Sequence, residues 1–329
     1  MRVAIFGKQN PRYFREWMKA ELEKNGFEAE LQDMETRTFL DYADRFLDWD
    51  ALITCGEKLP TEAMRTLGKG RVKIISRWGV GTDEMDKKEA SAQGIAVCNA
   101  PGSLSVAVAE CAIGLMINLL REFPARDASV RKNDWSWFFE GRLSHQLEGK
   151  TVGLYGFGDI SKALAKMLYG FDCHVIATDV RFDEETARKY NVTRVDPETL
   201  IRESDVLSLH VPAIPGVTMD MVDMAFLSRM KPTAILINTA RGSLIVEEDL
   251  YKALTTGVIA AAGLDVFRKE PPEPDNPLLT LPNVMLLPHS GAGSHECLVK
   301  SSAMAVDNIV SFFKGQPKHL LNPDALKGG

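Results

Sequence analysis

The stretch KTVGLYGFGDISKALAKMLYGFDCHVIATD, residues 150–179, decides the fold of this chain. Its apolar run 151–155 predicts a buried strand, and the glycine-containing segment 156–161 predicts a turn. Leu164, Met167 and Leu168 then recur at helical spacing. A second apolar run, 175–178, predicts the next strand and ends at Asp179. The stretch therefore predicts a strand, turn, helix and strand in succession, which is a βαβ unit.

The turn in this unit has the spacing of a dinucleotide site. A pyrophosphate reaches a helix N-terminus only where the backbone can approach it, and Gly156 and Gly158 carry no Cβ. Asp159 and Ile160 lie in the same turn and belong to the same candidate site. Ser161 replaces the usual third glycine but keeps the volume small where helix meets strand. The alternative is a structural βαβ unit that binds no phosphate.

The acid at the end of the second strand indicates which dinucleotide is bound. Asp179 lies 18 residues beyond Ser161, where a carboxylate accepts hydrogen bonds from the two ribose hydroxyls of adenosine. The same carboxylate would repel a 2′-phosphate, so we expect NAD rather than NADP. Arg181 is the one nearby residue that could admit NADP.

Composition excludes several classes of protein. The 329 residues suffice for two domains, and 45% hydrophobic and 26% charged residues are typical of a soluble globular protein. A net charge of −6 argues against a nucleic-acid surface. The five cysteines form no C-x-x-C pair and no zinc pattern, so we expect no metal and a reduced, cytoplasmic protein. The first residues lack the apolar run of a signal peptide, and segment 106–120 is too short to span a bilayer.

Strand-like and helix-like runs alternate along the whole chain. We therefore predict an α/β fold with two doubly wound parallel-sheet domains: a Rossmann NAD domain, residues 102–289, inserted in a discontinuous flavodoxin-like substrate domain, residues 1–101 and 290–329. A helix opening at Pro11 is expected to bury one apolar face, formed by Phe14, Trp17, Met18 and Leu22.

An aromatic cluster follows the long helical pattern of residues 105–121. Trp135, Trp137, Phe138 and Phe139 lie within five residues. Two interpretations stay open: the cluster is part of the core, or it belongs to an arm, residues 121–148, that packs against a second subunit, since large aromatics concentrate in interfaces.

Charged residues follow several predicted strands at the edge where doubly wound sheets bind ligands. Reduction of a 2-oxo acid needs a cation for the carboxylate, a proton donor to the ketone oxygen and a hydride source. Arg241 is the bidentate cation, His289 the acid, and Glu270 the partner that stabilises its imidazolium form. Each alone could instead be a surface charge or a structural residue, but together they favour this reaction.

At this point the sequence resembles the NAD-dependent D-isomer-specific 2-hydroxyacid dehydrogenases. The resemblance covers essentially the whole chain and rests on ISRWGVGTD (75–83), NAPGSLSVAVAE (99–110), GFGDI (156–160), HVP (210–212), NTARG (238–242), GLDVF (263–267) and PHSG (288–291). It implies that Arg241 binds substrate, that Glu270 and His289 are the acid-base pair, and that Asp265 is an acid supporting them. It also implies that the backbone of Val80 and Gly81 holds the substrate carboxylate. The further cofactor-binding candidates are Val211, Pro212, Thr239, Ala240, Asp265 and Gly291.

The resemblance further implies a homodimer joined through the cofactor domains, with the active site in the cleft between the two domains of each chain. In some members of the family a tryptophan of the partner subunit covers the substrate pocket. Trp137 is the candidate for that role here.

The sequence indicates the identity of the substrate less clearly than the family. Arg77 and the adjoining GVG loop are similar to those of phosphoglycerate dehydrogenases, but Cys55 and Gly56 stand where those enzymes present an arginine to the phosphate. The chain also leaves no room for their regulatory domain. We therefore expect a small unphosphorylated 2-oxo acid such as hydroxypyruvate or glyoxylate, with D-3-phosphoglycerate as the alternative. A corepressor-like NAD(H)-binding protein stays open, whereas a formate dehydrogenase would carry glutamine at Glu270.

Overall fold

The structure, a computed structural model, describes residues 1–35, 38–141 and 143–327. The chain divides into two compact units, Met1–Leu104 with Ser294–Gly329, and Ser105–Gly293. The predicted domain boundaries, after residues 101 and 289, lie three and four residues before the observed ones. The first unit is therefore discontinuous, with the second inserted in its sequence.

The first unit contains a parallel five-stranded sheet in the order β2-β1-β3-β4-β5. Its strands are β1 (Arg2–Ile5), β2 (Glu28–Leu31), β3 (Ala51–Thr54), β4 (Ile74–Arg77) and β5 (Ala96–Cys98). Its helices are α1 (Arg12–Lys24), α2 (Thr61–Gly68), α3 (Lys87–Ala92) and α12 (His295–Phe313). Strand residues such as Ile5, Ile53 and Ile74 are fully buried because helices cover both faces of the sheet.

Helix α1 corrects one expectation about its buried face. Phe14, Met18 and Leu22 are buried, as predicted, but Trp17 is 41% exposed and Arg15 is buried instead. At about 100° per residue, Trp17 lies on the far side of Phe14 from Met18 and Leu22, whereas Arg15 lies beside Leu22. The Arg15 guanidinium is paired with Asp33 at 2.6 Å, which accounts for a cation on the buried side.

The second unit contains a parallel seven-stranded sheet in the order β12-β11-β10-β9-β6-β7-β8. Its strands are β6 (Thr151–Tyr155), β7 (His174–Thr178), β8 (Val192–Arg194), β9 (Val206–Leu209), β10 (Ile235–Asn238), β11 (Ala261–Leu264) and β12 (Val284–Leu286). Its helices are α4 (Ser105–Arg121), α5 (Phe123–Arg131), α6 (Ser136–Phe139), α7 (Asp159–Leu168), α8 (Glu184–Lys189), α9 (Pro197–Glu203), α10 (Met224–Leu227) and α11 (Glu247–Thr255).

The strand order of the second unit reverses between β6 and β9, which is the topological switch point of its sheet. The glycine turn follows β6 directly, so it lies at the position where doubly wound sheets bind ligands. The predicted α/β architecture with two parallel sheets is confirmed. Within the described part of the chain, no helix is both long enough and apolar enough to cross a membrane.

Candidate active site

The two glycines of the turn after β6 are required for different reasons. Gly156 has φ of 101°, and a Cβ there would lie 2.7 Å from the His210 carbonyl oxygen and 2.9 Å from Val211. Gly156 therefore allows the turn to pass the loop that follows β9. A Cβ on Gly158 would meet no protein atom within 4 Å. The space beside Gly158 is thus open to an approaching pyrophosphate.

Ser161 occupies the position of the turn where a third glycine is usual. Ser161 is fully buried in α7, and its hydroxyl donates a hydrogen bond to the Gly156 carbonyl at 2.6 Å. Serine is therefore compatible with the close packing of helix and strand, because its only polar atom is paired. Asp159 and Ile160, which the sequence placed in the turn, begin α7.

Asp179 also shapes the glycine turn. Its carboxylate accepts hydrogen bonds from the backbone N–H of Phe157 at 2.6 Å and of Arg181 at 2.7 Å. Asp179 thus fixes the turn after β6, and it stays the candidate for binding the adenosine ribose. Arg181 follows on an exposed segment, held by its own backbone bond to Asp179.

Three neighbouring strands bring the candidate catalytic residues to one edge of the sheet. Asn238 of β10, Leu264 of β11 and Leu286 of β12 lie in one row of the register. The loops after these strands carry Arg241, the segment with Asp265 and Glu270, and His289. Because parallel strands present their carboxyl ends at the same edge, all four candidates lie there.

Asn238 sets the turn that carries Arg241, a role that the sequence reading missed. It is fully buried, and its side chain accepts from the Ala240 N–H at 3.0 Å and donates to the Arg241 carbonyl at 2.9 Å. The Arg241 guanidinium donates to the Ala240 carbonyl at 2.7 Å. The position of this asparagine at the end of a predicted strand, in the NTARG motif, could have indicated its role in the turn.

Gly242 connects that turn to the next loop. A Cβ there would lie 1.9 Å from the carbonyl carbon of Phe267, so only glycine allows the two backbones to meet. The Phe267 N–H in turn donates to Oε1 of Glu270 at 3.2 Å. Arg241 and Glu270 are therefore held by loops in direct contact.

Glu270 and His289 form the predicted pair. Oε2 of Glu270 lies 2.7 Å from Nδ1 of His289. The Glu270 side chain is 27% exposed and the His289 side chain 53% exposed, so the pair stands at an accessible edge. With Nδ1 directed to the carboxylate, Nε2 is the ring nitrogen that can serve a substrate.

Asp265 fixes the loop that carries His289. Its carboxylate accepts from the Ser290 N–H at 2.7 Å and the Gly291 N–H at 2.9 Å, and its carbonyl accepts from the His289 N–H at 2.8 Å. Burial raises the pKa of Asp265, while the two backbone N–H groups lower it in part. A Cβ on Gly291 would lie 2.8 Å from the carboxylate, so this glycine makes room for Asp265.

The loop that carries Glu270 has a brace of its own in Glu247, which the sequence reading also missed. Glu247 accepts from the Arg268 N–H at 2.7 Å and from the Asn276 side chain at 2.9 Å. These contacts fix the loop on both sides of Glu270. The prolines at 271, 272, 274 and 277 lie in or beside the braced segment.

Two further polar groups, one of them buried, lie near this edge. The Thr239 hydroxyl has no hydrogen-bond partner among the described residues and is almost fully buried, which leaves it available to a cofactor. His210, just after β9, contacts Ser208 Oγ through Nε2 at 2.9 Å, and burial lowers the pKa of His210 to about 4. The orphaned hydroxyl, the space at Gly158 and the acid at Asp179 fit a dinucleotide.

The remaining substrate candidates belong to the first unit. Arg77 ends β4, and its guanidinium lies 3.5 Å from the Glu57 carbonyl. Val80 follows, its carbonyl accepting from the Asn99 side chain at 2.9 Å, and Gly81 comes next. Cys55 is partly exposed, and desolvation raises the pKa of its thiol, while the nearby Arg77 guanidinium lowers it in part. The Arg77 guanidinium is therefore a cation near position 55, although position 55 holds a cysteine and not an arginine.

The aromatic segment forms α5, α6 and the turns around them, with residue 142 of the predicted arm outside the described residues. Phe138 and Phe139 are 75% and 81% exposed and contact each other edge to face. The interpretation that they belong to the core of the single chain is therefore wrong. Trp137 is half-buried, with the Arg126 guanidinium 4.6 Å from its ring centre.

No group of histidine, cysteine or acidic side chains in the described ranges could hold a metal ion. The site is therefore built from a dinucleotide turn, an arginine and a carboxylate-histidine pair.

Comparison with known proteins identifies the class. The family model described as the NAD binding domain of D-isomer specific 2-hydroxyacid dehydrogenases matches residues 113–291. The chain belongs to this family, and it is an NAD-dependent oxidoreductase of D-2-hydroxy acids.

Individual relatives differ in their named substrates. The chain is 38% identical to a glyoxylate reductase of Korarchaeum cryptofilum, over 86% of each protein. It is 35% identical to a D-3-phosphoglycerate dehydrogenase of Archaeoglobus fulgidus, over 90% of this chain but 55% of that one. Among solved structures, D-lactate dehydrogenase from Escherichia coli matches with a TM-score of 0.82 and 28% identity, over 98% of this chain and 100% of that one.

Proposed function

We propose that the protein transfers hydride reversibly between NADH and a small unphosphorylated 2-oxo acid, such as glyoxylate or hydroxypyruvate. The observation that carries this proposal is the contact of 2.7 Å between His289 Nδ1 and Glu270 Oε2 at the carboxyl edge of the sheet. The carboxylate stabilises a proton on the imidazole, and the ring keeps Nε2 for exchange with substrate.

In the direction of reduction, the His289 imidazolium donates its Nε2 proton to the ketone oxygen as the C–O bond becomes single. NADH, when bound, would supply the hydride for the carbonyl carbon. The products are the 2-hydroxy acid, NAD⁺ and a neutral imidazole, which is reprotonated from solvent. Glu270 accepts no proton in this scheme, because it orients Nδ1 and offsets the imidazolium charge.

Arg241 is proposed to bind the substrate carboxylate. A guanidinium offers two parallel N–H donors to a carboxylate, and its charge polarises the adjacent carbonyl. By the resemblance to the family, the backbone at Val80 and Gly81 shares this task, with Arg77 as a further substrate contact.

The residues around the glycine turn are proposed to hold the cofactor. Gly156, Gly158, Asp159 and Ile160 would receive the pyrophosphate, and Asp179 the adenosine ribose. The loops at the sheet edge complete the candidate set, with Val211, Pro212, Thr239, Ala240, Asp265 and Gly291.

The substrate is tested with purified protein and a panel of 2-oxo acids, followed as NADH consumption. The panel contains glyoxylate, hydroxypyruvate, 3-phosphohydroxypyruvate, pyruvate and 2-oxoisocaproate. We expect the highest kcat/KM with glyoxylate or hydroxypyruvate. Preference for 3-phosphohydroxypyruvate would instead support the D-3-phosphoglycerate dehydrogenase alternative. NADH binding without turnover of any member would support a corepressor-like binding protein.

We further propose a homodimer that covers the aromatic arm, residues 121–148. The exposure of Phe138 and Phe139, at 75% and 81%, supports an interface there, because apolar side chains this exposed are stabilised by burial. Trp137 is proposed to contact the substrate pocket of the partner.

Light scattering after gel filtration should show a dimer for the wild type and for Tyr169→Ser, which changes an exposed aromatic residue outside the arm. The double variant Phe138→Ser, Phe139→Ser should shift toward monomer, and an unchanged mass would remove the arm from the interface.

A further inference from the structure

The first unit carries a cavity of about 290 Å³ at the carboxyl ends of β1, β2 and β3. The strand order reverses between β1 and β3, so this is the topological switch point of the first sheet. The cavity is lined by Gly7, Lys8, Gln9, Gln32, Met34, Glu35 and Glu57. Polar side chains predominate, so the cavity suits a small polar group.

One of these residues, Glu57, is buried with both carboxylate oxygens engaged. It is 7% exposed. Oε1 accepts from the Gly7 N–H at 3.2 Å, and Oε2 accepts from the Cys55 N–H. Gly7 follows β1 and Cys55 follows β3, so the two donors are the backbone N–H groups at the switch point. Such paired N–H groups bind anions in many proteins, and here an internal carboxylate occupies them.

The charges that face the cavity do not favour an incoming anion. Among the described residues, its lining contains one cation, Lys8, and two carboxylates, Glu35 and Glu57. Arg77 is not one of the lining residues, but its guanidinium lies 3.5 Å from the Glu57 carbonyl. A phosphate dianion placed there would have to displace Glu57 from its donors or remain beside its charge, and both cost free energy.

The cavity adjoins the loop proposed to hold the substrate carboxylate. A Cβ on Gly7 would lie 2.9 Å from the Trp78 ring and 3.1 Å from Cys55 Cβ, so these residues are in contact. Trp78 leads through Gly79 to Val80 and Gly81. The cavity therefore lies at the same edge of the sheet as the loop proposed to hold the substrate carboxylate. It is close enough to that loop to receive the opposite end of the substrate.

We propose that Glu57 is a specificity-determining residue that excludes 2-oxo acids with a phosphorylated end and admits those that end in hydrogen or a hydroxyl. This inference rests on the proposed function, because it concerns the distal part of the same substrate. The discrimination against a phosphorylated substrate is thus assigned to the Glu57 carboxylate, which occupies the backbone N–H groups of Gly7 and Cys55 where an anion could bind. The absence of an arginine at position 55 adds to this effect.

The test compares hydroxypyruvate with 3-phosphohydroxypyruvate, which differ only in the phosphate. Glu57→Gln keeps the size of the side chain, removes its charge and leaves one acceptor oxygen for the N–H groups of Gly7 and Cys55. We expect kcat/KM for the phosphorylated acid, relative to hydroxypyruvate, to rise about tenfold or more, the effect of removing one nearby like charge. The value for hydroxypyruvate should stay within about threefold of wild type.

Glu35→Gln removes an equal charge from the cavity but no acceptor from Gly7 or Cys55. We expect it to change the ratio by less than about threefold, since an exposed charge is screened by solvent. An equal rise in both variants would overturn the assignment to Glu57, as would an unchanged ratio in Glu57→Gln. Glu57→Asp keeps the charge and should keep the discrimination.

A binding measurement covers the case in which Glu57→Gln folds poorly. Inorganic phosphate should inhibit glyoxylate reduction competitively and more strongly in Glu57→Gln than in wild type, with the folded fraction of each determined by circular dichroism. Equal inhibition constants would overturn the proposal.

If the wild type reduced no 2-oxo acid, the proposed function itself would fail. If the wild type preferred 3-phosphohydroxypyruvate, the dehydrogenase function would stand and the role of Glu57 would fall.

Discussion

His289 adopts a backbone conformation that few residues other than glycine adopt, with φ of 53°. A non-glycine residue in this region costs about 1 kcal/mol or more and persists only where its surroundings hold it. Here the Asp265 carbonyl fixes the His289 N–H at 2.8 Å, and Glu270 fixes the ring. The direction of the imidazole is therefore set by residues before it in the chain, not by the PHSG motif alone.

Replacing His289 by alanine should abolish most turnover without harming the cofactor site. We expect kcat to fall about 10²-fold to 10⁴-fold, the usual contribution of a positioned general acid. The Kd for NADH, measured by fluorescence titration, should stay within about twofold of wild type. His174→Ala, which removes an exposed histidine at the start of β7, is the matched control. A comparable loss of NADH affinity in His289→Ala would mean that the residue serves the cofactor instead.

Asp179 is tested by an exchange that keeps the shape of its side chain. Asparagine at 179 has one acceptor oxygen and so keeps one of the two bonds from the Phe157 and Arg181 N–H groups, but it carries no charge to repel a 2′-phosphate. We expect the ratio of kcat/KM for NADPH to that for NADH to rise about tenfold or more. Glu184→Gln, at an exposed acid nearby, should leave it unchanged. A constant ratio in Asp179→Asn would show that the ribose is read elsewhere.

At the scale of elements, two loops at the sheet edge are each held by one carboxylate. Asp265 receives the N–H groups of Ser290 and Gly291, and Glu247 receives donors from Arg268 and Asn276. Each carboxylate therefore fixes a loop that carries one member of the proposed catalytic pair. Such support matters because an error of about 1 Å in the position of a catalytic group can cost two orders of magnitude in rate.

Asp265→Asn should loosen the loop that carries His289. Asparagine offers one acceptor and turns its amide donors toward a backbone N–H, so one of the two bonds is lost. We expect kcat to fall about 10-fold to 100-fold with little change in KM for the 2-oxo acid. Steady-state kinetics at saturating NADH provides the measurement. A rise in KM alone would place Asp265 in substrate binding rather than in positioning His289.

At the scale of the whole molecule, helix-capping aspartates link stability to pH. The Glu89 backbone N–H holds the pKa of Asp86 below its usual value, Lys162 does so for Asp183, and Thr199 does so for Asp196. A carboxyl whose pKa is lowered by folding stabilises the native state above its unfolded pKa. That contribution is lost as pH falls through the folded pKa.

The protein should therefore lose stability between about pH 5 and pH 2, where these aspartates gain protons on unfolding. Urea unfolding followed by circular dichroism at several pH values would show the midpoint falling with pH. Asp196→Asn should flatten this dependence slightly, because asparagine still caps α9 but does not titrate. A midpoint constant from pH 6 to pH 3 would contradict the assignment.

The chemistry of the site was partly accessible from the sequence. Arg241, Glu270 and His289 could be proposed because each follows an apolar run that predicts a strand, and parallel strands end at one edge. Asn238 was not proposed, although its partners Ala240 and Arg241 are close to it in the sequence. Glu247 and Glu57 were not proposed, because each accepts from a residue that is distant in the sequence. Glu57, for example, accepts from Gly7, 50 residues earlier in the chain.

The sequence by itself determined the α/β class, the two parallel sheets and the place of the glycine turn. These features depend on apolar periodicity and residue spacing within about 30 residues, which local steric and hydrophobic rules govern. Only the tertiary structure decided that Trp17 faces solvent while Arg15 is buried, that Asp265 holds the His289 loop, and that Glu57 occupies the anion position after β1 and β3. Those outcomes depend on which distant groups satisfy one another's hydrogen bonds and charges once the strands are paired, and such pairing leaves no periodic trace in the sequence.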